Sequence, residues 1–399
     1  MRQGELQSPK SRVEIRMLYP FTFRPIFKQR VWGGRELERL YHKPLPPGVP
    51  IGESWEISDR PGDVSVIANG PLAGKDLRWL MENHAADLLG GAQPQRGRFP
   101  LLIKILDARD KLSFQVHPPA ALAAALGGEP KTEMWYVAEA APRAELYVGL
   151  KRGVTRAEFE RKIKTGTVAE CFHRVSVRPG DALFLPSGRV HALGAGLVIF
   201  EIQQNSDTTY RVFDWNRPGL DGKPRELHVP QSLASIDFND FEPSLLPQAF
   251  VQQGAQPVRL LVSDPLFTVE AREASVGASV PLQPNKMQII ALLAGHVQVR
   301  AGQETFPMNL DSPESGRRFP LPMNPGSPEI CRRFPLSPSE GERAGVRGPS
   351  LPGGSGAQSA SNGPSILSLA PGQFCLVPAS LAEVSLRAET PATFLRVEV

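Results

Sequence analysis

The chain has 399 residues, 41% of them hydrophobic, enough for a sizeable core and for two domains. Lys and Arg number 45 against 41 Asp and Glu, spread along the chain without a basic tract, so neither nucleic acid nor an anionic membrane is expected as a partner. No run of about 18 apolar residues marks a transmembrane helix, and three widely spaced cysteines (Cys171, Cys331, Cys375) without a CxxC pair argue against a disulfide scaffold or a cysteine zinc site, which leaves the cytoplasm as the expected compartment.

Residues 1–16 carry no apolar signal-peptide core and read as a disordered N-terminal extension ahead of "LYPFTFRPIF". Short β-branched and aromatic runs bounded by turn residues then follow: "SRVEIRM" (11–17), "DVSVIA" (63–68), "LLIKIL" (101–106), "EMWYVAE" (133–139), "ALFLP" (182–186) and "LVIFEIQQ" (197–204). Their spacing predicts a mainly β sandwich or barrel. Helical periodicity is confined to a few stretches. One is 75–91, stopping at Gly90–Gly91; another is "TRAEFERKIKTG", with a capping box from Thr155 to Glu158 and a stop at Gly166.

From 303 to 365 the composition turns rich in Pro, Gly and Ser. Within it, 312–326 and 327–341 share nine of fifteen positions, including the block RRFPL. Such a segment has too little apolar periodicity to bury a core and reads as a disordered late insertion, in a second β-module spanning 246–399 that follows a first over 17–245. An older repeat links the two. "VRPGDALFLPSGRVHAL" (177–193) resembles "LAPGQFCLVPASLAEVS" (369–385), which sets His191 opposite Glu383 and suggests a duplicated fold with one chemically competent copy.

In "SFQVHP", Gln115 and His117 are two apart and project from one face of a strand. Glu133 in "PKTEMWYV" and His191 in "LPSGRVHALG" complete a set of two imidazoles, a carboxylate and an amide, which suits Zn²⁺ and equally Fe²⁺, Mn²⁺ or Co²⁺. Each residue also has an ordinary reading: a hydrogen-bonded core histidine, or a surface ion pair of Glu133 with Lys131. A dense polar run follows a strand at Glu201, Gln203, Asn205, Asp207 and Arg211. It reads either as a turn or as the lining of a pocket for a hydroxyl-rich anionic molecule.

These segments, with "VWGG" (31–34), "GESWEIS" (52–58) and "EIQQNSDTTYRVFDWNR" (201–217), resemble the type I mannose-6-phosphate isomerases of the short bacterial class, from about Tyr19 through Leu233. The resemblance implies cupin (jelly-roll, double-stranded β-helix) modules with a small helical portion. It also implies one Zn²⁺ per chain on His117, Glu133 and His191, with Gln115 as a fourth ligand. It places Arg211 as the active-site arginine, and Ser113, Lys131 and Glu201 in the substrate pocket. The implied reaction is metal-dependent isomerisation of mannose 6-phosphate to fructose 6-phosphate through an enediol, by a monomer or weak homodimer. Either Glu201 or Lys131 serves as the base, with the Lys131 pKa expected to fall beside a metal cation. Two alternatives remain at this level: a non-haem iron cupin oxygenase and a non-enzymatic sugar-binding cupin.

Overall fold

A computed structural model describes residues 17–254, 256–302 and 365–399. The extension expected over 1–16 and most of the strand expected at 11–17 lie outside the described residues. So does the insertion expected over 303–365, save Ser365, which opens the strand Ser365–Leu369.

The architecture is mainly β. In the first part of the chain a six-stranded antiparallel sheet runs in the spatial order Ile26–Gly34, Ile51–Ile57, Leu101–Ala108, Leu197–Gln204, Glu133–Ala140, Ala182–Leu185. A five-stranded sheet faces it: Tyr210–Phe213, Phe114–Val116, His191–Leu193, Glu145–Leu150, Phe172–Ser176. This is the jelly-roll arrangement of a cupin module, with its inner faces packed through Leu106, Trp135, Val148, Leu183 and Ile199.

Period-two alternation then has an unusual consequence, because the central strands are buried on both faces. In Leu101–Ala108, Ile103 and Ile105 enter one core while Lys104 and Leu106 point to the other side. In Leu197–Gln204, Phe200 and Ile202 enter that first core and Glu201 takes the opposite face; Glu133 and Trp135 likewise oppose Met134. The sandwich interior therefore receives buried charge from three adjacent strands.

The second part repeats the plan. Its six-stranded sheet runs Val251–Gln253, Gln256–Asp264, Phe267–Ala274, Ala392–Glu398, Gln288–Ala294, Phe374–Val377, opposite a four-stranded sheet of Ser279–Pro281, Val384–Ala388, Val297–Ala301 and Ser365–Leu369. The two six-stranded sheets share one core, in which Ile103, Ile105, Phe200 and Ile202 cluster with Val269, Ile289, Leu395 and Val397.

The strand register refines the internal repeat. Leu185 pairs with Glu133 as Val377 pairs with Gln288, so Gln288 stands where the first module has Glu133. His191 pairs with Val148 as Val384 pairs with Ala301, so the buried Val384 takes the place of His191. Sequence alignment set Glu383 there; the turn after the shared strand is one residue longer in the second copy, which shifts the match by one.

The predicted helix over 75–91 forms as two pieces, Leu77–Asn83 and Ala85–Leu89, interrupted at His84. The Asp76 carboxylate caps the first piece by accepting from Trp79 N at 2.7 Å. Arg156–Lys164 forms as expected, with Thr155 Oγ1 accepting from Glu158 N. Of "DVSVIA", only Asp63–Val64 is a strand; Val66 and Ile67 make isolated bridges.

Candidate active site

Two rows of side chains meet inside the first sandwich. On the five-stranded sheet, Arg211 pairs with Gln115 and Gln115 with His191, so the three lie abreast. On the six-stranded sheet, Trp55 pairs with Lys104, Lys104 with Glu201, and Glu201 with Trp135. Glu133 lies two residues before Trp135 on the same face, and His117 follows the strand Phe114–Val116.

His117, Glu133 and His191 are all buried, and their ligand atoms lie within 4.8 Å of one another. Glu133 Oε1 is 3.2 Å from His191 Nε2, and Glu133 Oε2 is 3.5 Å from His117 Nε2. Each imidazole spends its other nitrogen on a backbone carbonyl: His117 Nδ1 on Thr208 O at 2.8 Å, His191 Nδ1 on Arg189 O at 3.0 Å. Donation from Nδ1 leaves the Nε2 lone pairs pointing at the shared centre, the arrangement that metal-ligating histidines use. His117 Nε2 and Glu133 Oε1 have no hydrogen-bond partner among the described residues, so the cluster has donor atoms free to hold a cation.

The protonation states agree with this. Burial, helped by the Lys131 cation, holds His117 down at about 4, and burial also lowers His191. Burial pushes Glu133 up, but Lys131 and the two imidazoles outweigh it and hold its carboxyl well below the usual range. Two neutral imidazoles and one carboxylate therefore converge. Gln115 Nε2 lies 3.2 Å from His191 Nε2; rotating its amide would exchange this nitrogen for the oxygen a fourth ligand needs.

Gln115 and Lys131 form the wall between this cluster and a cavity of 510 Å³, which Ser113, Glu201 and Arg211 also line. The eight residues to which the resemblance gave site roles thus come together. Among the protein's own groups, burial pulls the Lys131 pKa down, but Glu133, 2.6 Å away, and Glu201 more than compensate, and the pKa is raised. The Lys131–Glu133 pair is not on the surface; both are buried.

The polar run divides into two groups. Glu201, Asp207 and Arg211 line the cavity. Gln203 instead donates to Ser206 O at 2.6 Å and Asn205 to Phe99 O at 2.8 Å, so these two hold the turn.

Sequence reasoning missed Arg30, Glu53, Lys104 and Arg225, which also line the cavity. Arg30 Nε donates to Glu53 Oε1 at 2.6 Å, Lys104 Nζ lies 3.8 Å from Glu53 and 3.2 Å from Glu201, and Trp135 Nε1 donates to Glu201 Oε1 at 2.9 Å. Cations and carboxylates alternate from the rim to Glu133, which offsets the cost of burying each. A signal existed in "LLIKIL": a lysine inside an apolar run needs a partner.

Comparison with known proteins gives this geometry a family. The profile for phosphomannose isomerase type I, catalytic domain, matches residues 21–160. The chain is 36% identical over 267 residues to the probable mannose-6-phosphate isomerase GmuF of Bacillus subtilis, covering 66% of this chain and 83% of that one. It is 35% identical over 293 residues to the mannose-6-phosphate isomerase of Streptococcus mutans, covering 73% and 90%. The crystal structure of the mannose 6-phosphate isomerase from Bacillus subtilis superposes with a TM-score of 0.73 at 25% identity, over 95% of this chain and 99% of that one. With the matched segment spanning His117 and Glu133, and relatives covered nearly end to end, the chain belongs to the type I mannose-6-phosphate isomerase family.

Proposed function

We propose that this protein interconverts mannose 6-phosphate and fructose 6-phosphate through an enediol, with one Zn²⁺ held by His117, Glu133 and His191 and with Gln115 as a further ligand. One observation carries the reading. Two imidazoles and an ionised carboxylate converge, buried, directly behind a cavity whose wall is Gln115 and Lys131. Bound there, a divalent cation supplies Lewis acidity toward a carbonyl or hydroxyl oxygen.

The remaining chemistry falls to the chain itself. Arg211 lines the cavity with its guanidinium held by Ser113 Oγ at 3.3 Å and Glu226 O at 2.8 Å. A cation fixed in this way stabilises negative charge developing on the sugar oxygens without reorganising. We assign the movement of the proton between C1 and C2 to the Lys131–Glu201 pair, 4.0 Å apart, with the carboxylate accepting and the ammonium donating. Trp135 and Lys104 hold Glu201 in place for this. A cavity lined by five cationic and four carboxylate side chains suits a hydroxylated, anionic sugar better than the apolar substrate of many oxygenases.

The test is a coupled assay of purified protein with Zn²⁺ and mannose 6-phosphate, following fructose 6-phosphate. Turnover should vanish with EDTA and return with metal. A folded, metal-loaded protein without turnover would sink the proposal, and oxygen uptake with Fe²⁺ would move the assignment to an oxygenase.

A further inference from the structure

A second cavity, of 300 Å³, lies where the two modules meet. Phe23, Tyr41, Lys43 and Glu56 line one side of it, and Ser368 and Phe374 of the second module line the other. It shares no lining residue with the active-site cavity. The strand Ile51–Ile57 separates the two. Glu53 lines the active-site cavity, whereas a β-bulge between Trp55 and Ile57 leaves Glu56 without a cross-strand partner and aims it to the other side.

The floor of this cavity is a buried ion pair. Lys43 Nζ lies 2.7 Å from Glu56 Oε1, and the two residues are 7% and 5% exposed. Lys43 also donates to Gly372 O at 3.0 Å, and Glu56 Oε1 also accepts from Ser54 Oγ at 2.5 Å. An ammonium has three N–H donors and a carboxylate two oxygens, so one N–H of Lys43 and Oε2 of Glu56 remain for a further partner. The pair joins the modules, but a clamp by itself needs no cavity above it.

The walls are held firmly. Tyr41 packs edge-on to Phe200 with ring centres 5.8 Å apart, and Phe200 stacks on Phe374 at 5.5 Å. On its other side the Tyr41 ring rests on the backbone of Gly372, where a Cβ would come within 2.4 Å of the ring and where φ is +77°. Glycine is therefore required at that turn, and the aromatic wall is fixed before anything binds.

We propose that this cavity is a second binding site, for an uncharged polyhydroxylated molecule of hexose size. A hydroxyl both donates and accepts, which matches the adjacent N–H of Lys43 and Oε2 of Glu56. Flat apolar rings suit the C–H faces of a sugar ring, and the volume is that of a small-ligand site. An ion fits less well. The Lys43 and Glu56 charges cancel at 2.7 Å, so a charged ligand would lose its hydration without gaining a counter-ion.

The experiment uses the full-length, metal-loaded protein with D-glucose as the probe. Saturation-transfer NMR is recorded with excess mannose 6-phosphate present to occupy the active-site cavity. Transfer to glucose should persist under these conditions. D-glucuronate, the same ring with a carboxylate, should bind about tenfold or more weakly. Ser368→Trp fills the cavity from an exposed position and should abolish the transfer, with turnover and melting temperature as in wild type. The double variant Lys43→Met, Glu56→Gln removes both charges together, so no unpaired charge is left buried; it should weaken glucose binding on the order of 10- to 100-fold.

Absence of transfer in wild type would overturn the site. So would glucose binding that vanishes when mannose 6-phosphate is added, or that survives Ser368→Trp, because either places the sugar elsewhere. Glucuronate binding as tightly as glucose would overturn the uncharged class of ligand. The Ser368→Trp comparison reads the site whether or not mannose 6-phosphate turns over, so this proposal and the isomerase reading fail separately.

Discussion

Glu53 is the first carboxylate in the chain of alternating charges, and its replacement by glutamine tests whether that chain stabilises the fold. The carboxylate is buried, accepting from Arg30 Nε and Trp55 Nε1 at 2.6 Å each, with Lys104 at 3.8 Å. Burial pushes its pKa up, but Lys104 and Arg30 together hold it down at about 2, from an ordinary 4.5. That difference corresponds to about 3 kcal/mol in favour of the charged, folded form. Because the folded pKa lies below the unfolded one, the stabilisation is present above about pH 4.5 and is lost as pH falls toward 2. Glu53→Gln keeps the shape and one acceptor but leaves Arg30 and Lys104 short of a counter-charge. It should therefore be less stable by about 3 kcal/mol near neutral pH, the gap narrowing below pH 4.5. Urea unfolding of both proteins at several pH values reads this directly. A loss that is the same at pH 7 and pH 3.5, or a loss under about 1 kcal/mol at pH 7, would refute the electrostatic reasoning.

Three further outcomes are expected. His191→Ala should remove bound metal and turnover together, as metal analysis beside the coupled assay would show; full activity in metal-depleted protein would exclude the site. Arg211→Ala should keep metal and melting temperature while turnover falls on the order of 10²- to 10³-fold, the range for a lost electrostatic stabiliser; near-wild-type kcat would remove the role assigned to it. Ala301 and Ser365 are paired in register on adjacent antiparallel strands, so replacing 303–364 by a short Asn-Gly-type turn should preserve activity and shift the melting temperature by no more than a few degrees. A collapse of either would show that these residues contribute to the fold.

Much of the site was legible because its chemistry is local. Gln115 lies on a short strand with His117 just after it, Glu133 begins a strand, and His191 follows a Pro-Ser-Gly turn, so residue type and spacing were enough to make them candidates, and the family resemblance grouped them. The strands were legible for the same reason, since β-branched runs bounded by turn residues carry their own signal. The helix over 75–91 was legible in periodicity but not in its break at His84, whose backbone leaves the helical region. Gln203 and Asn205 looked like pocket residues because polarity alone does not say which way a turn faces.

By itself, then, the sequence determined the β character, the internal duplication and the candidate metal-ligand residues, all written in short stretches of chain. Only the tertiary structure decided what surrounds those ligands. Back-to-back packing of the two six-stranded sheets buries both faces of Leu101–Ala108 and Leu197–Gln204, and this forces Lys104 and Glu201 into the cavity as a pair. The register of the second module replaces Glu133 and His191 by Gln288 and Val384, the second a match that a one-residue loop difference hides from alignment. The raised Lys131 pKa follows from the same cause. A charge's behaviour depends on which partners lie within a few ångströms, and strands 70 residues apart in the chain become neighbours only once the sheet has closed.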